Sequence, residues 1–177
     1  MNRAAAAVLL LILSAGLRAD VPAAPAAESP SSAAAALSPA AGTDAALVLA
    51  FYRAVNAGDG SALSGLLAPD FSSDAALPGL KPGAAGLSAW LAGLRTAFPD
   101  GRVEVLDLLS QEGRVAVRYR FSGTQRGRFL SLRPTRKHAQ VTGMDLWTVK
   151  AGKLAAQSGT LDSLGLLVQL GIAPELH

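Results

Sequence analysis

The sequence predicts an α+β domain in which helices come first and an antiparallel sheet follows. Up to Phe98, large apolar residues recur every three or four positions, the period of an amphipathic helix. From Val103 onward the period falls to two, and the short turns Gln111-Glu112-Gly113 and Lys150-Ala151-Gly152 separate the alternating runs. Helices followed by a strand meander define the α+β class.

The first helix is expected over residues 44–58, where Ala46, Val48, Leu49, Phe51, Tyr52 and Val55 share a face and Thr43-Asp44 can cap the start. Asn56-Ala57-Gly58-Asp59-Gly60 ends it, and a short second helix is expected over 61–67, closed by Pro69. Asp70-Phe71 then leads into a stretch rich in Ser, Asp, Pro and Gly that reads as loop. Leu87, Trp90, Leu91, Leu94 and Phe98 mark a third helix that stops before Pro99-Asp100-Gly101. Strands are expected from Val103, across Val115–Phe121, over 139–149 and over 153–160, with a last helix over 163–170.

The segments outside this unit have a different composition. Met1-Asn2-Arg3 followed by the apolar run Ala4–Leu13 reads as a secretory signal peptide, residues 1–19, too short for a stable membrane span of about 20 apolar residues; an uncleaved amphiphilic anchor is the alternative. Residues 20–43 are mainly Ala, Pro and Ser; they bury too little apolar area to offset ordering entropy and read as a tether. The domain proper is expected over 44–173, with 174–177 as a tail. Export to the periplasm or medium is therefore expected, with no stable span after cleavage.

Charge argues against a nucleic-acid partner. The net charge of +3 falls to +1 once residues 1–19, with Arg3 and Arg18 and no acid, are removed. A local basic cluster remains around Arg114–Lys137 and reads as a solvated sheet face or an anion-attracting surface. There is no cysteine, and His138 and His177 lack any metal-ligand spacing, so no metal is expected. Neither a phosphate-binding loop nor a Gly-x-Ser-x-Gly elbow occurs.

Among residues that could carry chemistry, Asp145 stands out. Val141, Gly143, Asp145, Trp147 and Val149 share one strand face, which places an acid on a partly apolar surface. Burial there would raise its pKa into the range useful for acid/base work; an aspartate serving only as a structural hydrogen-bond acceptor is the alternative.

The run through Gly123-Thr124-Gln125, Gly127, Phe129, Pro134-Thr135, Asp145, Asp162 and Gln169-Leu170-Gly171 resembles the SnoaL-like polyketide cyclases, or ester cyclases, of the NTF2-like superfamily. The resemblance covers about residues 44–173. It implies a strongly curved sheet wrapped around helices as a cone, with a pocket at the open end. It also implies cofactor-independent, aldol-type ring closure of a small polyketide-like carbonyl compound, with Asp162 as acid/base and Asp145 beside it. Gln125, Tyr119, Trp147, Trp90 and Phe51 are then the expected ligand-contacting side chains, and a homodimer through the outer sheet face is expected. Asp162 has a second reading, as the N-cap of the last helix.

Several positions depart from the family pattern. Gln125 and Asp74 stand where histidines are frequent, and Ala156-Gln157-Ser158 replaces a usual Glu-His-Trp segment. Glutamine hydrogen-bonds but does not titrate. If Ala156 and Ser158 face the pocket, as alternation with Asp162 suggests, they enlarge it for an apolar ligand. An exported, non-catalytic domain that binds a small ligand or a protein is thus the second reading.

Overall fold

The computed structural model describes residues 43–74 and 83–173. The expected signal peptide, all but the last residue of the expected tether, and the expected tail lie outside the described residues. The order is α1 (Asp44–Ala57), α2 (Gly60–Leu66), β1 (Leu67–Ser73), α3 (Gly83–Ala97), β2 (Arg102–Gln111), β3 (Arg114–Thr124), β4 (His138–Lys150), β5 (Lys153–Leu161) and α4 (Ser163–Gln169). Each expected helix and each strand of the meander is present within a few residues of its expected bounds.

Local chemistry sets the ends. Thr43 accepts from the Ala46 N–H to start α1, and Gly58, left-handed at φ 69°, returns its own N–H to Ala54 and Val55. Both tight hairpins use a pair of positive-φ residues, Glu112 and Gly113, then Ala151 and Gly152. Such turns match the right-handed twist of the flanking strands.

Five strands form one sheet in the order β1-β5-β4-β3-β2. All neighbours are antiparallel except β1 and β5. The strand β1 departs from the expectation of loop at Asp70-Phe71 and beyond. Pro69 and Asp70 obscure it in sequence, yet proline is tolerated on an edge strand because no ladder hydrogen bond is required of its nitrogen. Leu67, Ala68 and Phe71 turn inward and anchor it. Register shifts near Val105/Asp107 and Thr148/Val149 bend the sheet, which wraps around α1 and α3 without closing.

Two apolar clusters fill the cone. One centres on Trp147 with Phe51, Tyr52, Phe71, Val115, Val117 and Leu154; the other on Phe98 with Phe121, Phe129, Leu166 and Leu170. Among the described residues, no helix is long and apolar enough to cross a membrane.

Candidate functional site

Between the two clusters lies a cavity of about 470 Å³, walled by α1, α3, α4 and the inner face of the sheet. Its lining is mostly apolar, and the titratable side chains in it are Asp74, Asp145, Tyr52 and Tyr119. Among the described residues, no Lys, Arg or His lines it. A smaller neighbouring cavity of about 290 Å³ shares Val55, Leu91, Leu94, Val103 and Phe121 as a wall but holds neither a carboxylate nor a phenol.

Strand alternation delivers Asp145 to this cavity, and three neighbours hold it there. It is 7 % exposed, on the inward face of β4 between Gly143 and Trp147. Across the ladder it pairs with Gly159 of β5, and any Cβ at Gly159 would collide with Asp145 Oδ1. Glycine at that point makes room for the carboxylate. The Tyr52 hydroxyl, from α1, donates to Asp145 Oδ2 and in turn accepts from Trp147 Nε1 at 3.2 Å. The Gln157 side chain of β5 also favours the charged form of Asp145, while its Oε1 accepts from Ser73 Oγ at 3.2 Å.

Burial pushes the Asp145 carboxyl above its ordinary range, and the hydrogen bonds from Tyr52 and Gln157 only partly offset that rise. Burial, with the Asp145 charge nearby, drives the phenols of Tyr52 and Tyr119 upward too, so both remain protonated donors at neutral pH. The Tyr119 ring packs over Gly143, two positions before Asp145, and lines the cavity.

The residues singled out in the sequence fall into three groups. Asp145, Tyr119, Trp90 and Phe51 line the cavity. Trp147 lies fully buried behind it, packed against Phe51 at a ring-centroid distance of 4.5 Å and hydrogen-bonded to Tyr52, and does not itself line the cavity. Gln125 and Asp162 stand outside it. Gln125 is 0 % exposed and fastens the β3–β4 loop: its amide donates to the Arg133 carbonyl at 3.2 Å and accepts from Thr135 Oγ1 at 2.8 Å. Asp162 is exposed and caps α4, accepting from the Gly165 N–H at 2.8 Å.

The inward face of β5 also differs from the expected one. The pairs Trp147–Gln157, Asp145–Gly159 and Gly143–Leu161 turn Gln157, Gly159 and Leu161 inward. Ala156 and Ser158 lie on the opposite face with Asp162, and Ser158 Oγ donates to Asp74 Oδ2 at 2.6 Å. His138 is exposed, with Nδ1 at 3.4 Å from Thr124 Oγ1. Among the described residues no cluster of His, Cys, Asp or Glu is arranged to hold a metal ion.

Tyr52 and Gln157 are site residues that sequence reasoning did not assign. The available signal was the Tyr52 hydroxyl on an otherwise apolar helix face, since a buried phenol requires a partner. Gly159→Ala tests the packing directly. It is expected to displace the Asp145 carboxylate from Tyr52 and to cost about 1–3 kcal/mol of stability, the usual cost of overpacking, with an unchanged far-UV circular dichroism spectrum. An unchanged melting temperature would show that the carboxylate position is not exacting.

The described unit matches a family model, SnoaL-like polyketide cyclase, over residues 46–170. Solved structures agree. TsrD from Streptomyces laurentii shares 26% identity with a TM-score of 0.67, over 72% of this chain and 94% of that one. AclR from Streptomyces galilaeus, assigned as a hydroxylase, shares 26% identity with a TM-score of 0.66, over 76% and 88%. IdmH from Streptomyces antibioticus, assigned as a polyketide cyclase, shares 26% identity with a TM-score of 0.63, over 73% and 99%. No match was found among curated protein sequences. A family match across nearly all of the described fold, with the curved sheet and its cavity, leaves one conclusion: the chain belongs to the SnoaL-like polyketide cyclase family of NTF2-like proteins.

Proposed function

We propose that the protein is a cofactor-independent acid/base catalyst that closes a ring in a small, neutral, apolar carbonyl compound, with Asp145 as the proton-transferring group. One observation carries this reading: a desolvated carboxylate, held by Tyr52 and Gln157, faces an apolar cavity lined by no cationic side chain among the described residues. The lack of a cation in that lining disfavours carboxylate or phosphate substrates, which would be desolvated next to Asp145 without a counter-charge. Ionised Asp145 takes a proton from the carbon next to a carbonyl, and the Tyr119 hydroxyl donates to the resulting enolate oxygen. The enolate carbon bonds to a second carbonyl carbon of the same molecule, and the new alkoxide recovers the proton from Asp145. The product is an isomer of the substrate, so no co-reactant is consumed.

In this reading Asp162 is a helix cap, and its family-implied acid/base role passes to Asp145. Asp162→Ala should therefore cost about 1 kcal/mol of stability through loss of the cap, and turnover should stay within a few-fold of the parent. A loss of turnover of roughly 100-fold or more, the scale of a missing general base, with the melting temperature unchanged, would return the catalytic role to Asp162.

A second reading, a non-catalytic domain binding an apolar ligand, is supported by Gln157, which lines the cavity and cannot titrate. The assignment of AclR as a hydroxylase also indicates that similar folds are linked to different activities. Ligand-dependent thermal shifts without turnover would favour this second reading. Export is part of the proposal and rests on the basic start and apolar run of residues 1–13. A homodimer through the outer sheet face is supported by exposed Leu109 and Met144, and sedimentation velocity tests it.

A further inference from the structure

The β3–β4 loop joins features that the proposed chemistry does not use. Between Gln125 and Lys137 it carries Arg126, Arg128, Arg133, Arg136 and Lys137 and no acid, and these cations are largely solvent-facing. None of them forms a salt bridge among the described residues; the bridges present join Arg118 to Asp107 and Arg120 to Glu104 on the sheet. Arg126 has an acid nearby, Asp100, whose carboxyl is held below its usual range by the Thr124 N–H and side chain and, more weakly, by Arg126.

At the loop tip the Phe129–Leu132 bridge forces out Leu130, which is 60 % exposed and also lines the cavity. Its φ is 53°, a conformation in which glycine or asparagine is the ordinary choice. A large apolar side chain held there, more than half exposed where it borders the cavity, carries a local backbone cost. The loop is nonetheless not loose. Gln125 fastens it to Arg133 and Thr135, and backbone bonds tie Arg126 and Gly127 to Ala97 of α3. Across the cavity, α4 lines the same space with Leu166 and Leu167 and exposes Leu164.

We propose that this loop seats the protein on an anionic lipid surface, with Leu130 inserted between headgroups, so that the cavity mouth faces the membrane from which its apolar ligand enters. Clustered Lys and Arg next to an exposed apolar tip are the elements of reversible adsorption to acidic lipid. A nucleic acid would satisfy the cations but offers nothing to Leu130. The inference rests on the apolar cavity and not on the chemistry of Asp145.

Co-sedimentation of the chain from Asp20 onward, the mature form expected after removal of residues 1–19, with vesicles tests it. Binding is expected to vesicles of equal parts phosphatidylglycerol and phosphatidylcholine, to weaken with added salt, and to be absent on phosphatidylcholine alone. Each cation removed should lower the partition coefficient about fivefold, so Arg128→Ala with Arg133→Ala should lower it about 25-fold. Leu130→Asn, which suits the positive φ and leaves every charge in place, should lower it severalfold. The proposal is overturned if acidic vesicles fail to bind the chain, if Leu130→Asn binds them as well as the parent does, or if a DNA duplex binds as tightly and equally in both. Turnover of a water-soluble substrate reads the role of Asp145 and vesicle partition reads the loop, so either idea can fail alone.

Discussion

Replacing Asp145 with asparagine is expected to lower kcat by about 10²–10⁴-fold, the range associated with losing a positioned general base, while raising stability at neutral pH. The two effects have one cause. Burial raises the folded-state pKa of Asp145 above its unfolded value, so the folded state holds this proton more tightly than the unfolded state does. The contribution of the group is therefore fully favourable below the unfolded carboxyl pKa and is lost as pH rises through the raised folded value. The substituted amide would remain uncharged throughout. The gain in melting temperature should be largest at neutral pH and fade on acidification, whereas parent turnover should rise with pH through the raised carboxyl pKa. A variant that is inactive but not stabilised at neutral pH would show that Asp145 is not destabilised by its surroundings.

The second large effect concerns Trp147. Trp147→Ala should cost about 3–5 kcal/mol, read as a lower denaturation midpoint by circular dichroism. That is a large share of the roughly 5–15 kcal/mol by which ordinary domains are stable. The indole packs against Phe51, Tyr52 and Phe71, so its removal opens a void where α1, β1 and β4 meet. Trp147→Phe should recover most of that loss but not the indole hydrogen bond to Tyr52. Loss of turnover in a folded Trp147→Phe would then report the positioning of Tyr52 rather than core packing. If Trp147→Ala melts like the parent, the described packing is wrong.

Much of this architecture was legible because it is local. Val115, Val117, Tyr119 and Phe121 alternate with arginines, and a strand with one wet face must do so. The edge strand β1 was not legible because Pro69 and Asp70 interrupt its apolar signal and its partner, β5, lies far along the chain. At the site, alternation gave the face of Asp145 but not its partner Tyr52, since no local rule links positions 93 residues apart. The orientation of Ala156 and Ser158 was misjudged for a related reason. Counting back from Asp162 in steps of two is sound, but Asp162 is a helix cap that faces outward, and Ala156 and Ser158 face outward with it.

The parallel pairing of β1 with β5 has a kinetic consequence. The hairpins β2–β3 and β4–β5 close through two-residue turns, an inexpensive step for a folding chain, whereas β1 pairs with β5 only after a loop of roughly eighty residues is drawn shut. Tyr52 precedes β1, so its bond to Asp145 spans the same slow closure. The meander should form early as a sheet whose central carboxylate is still wet and titrates like any other, and the site should come into being in the last phase of refolding.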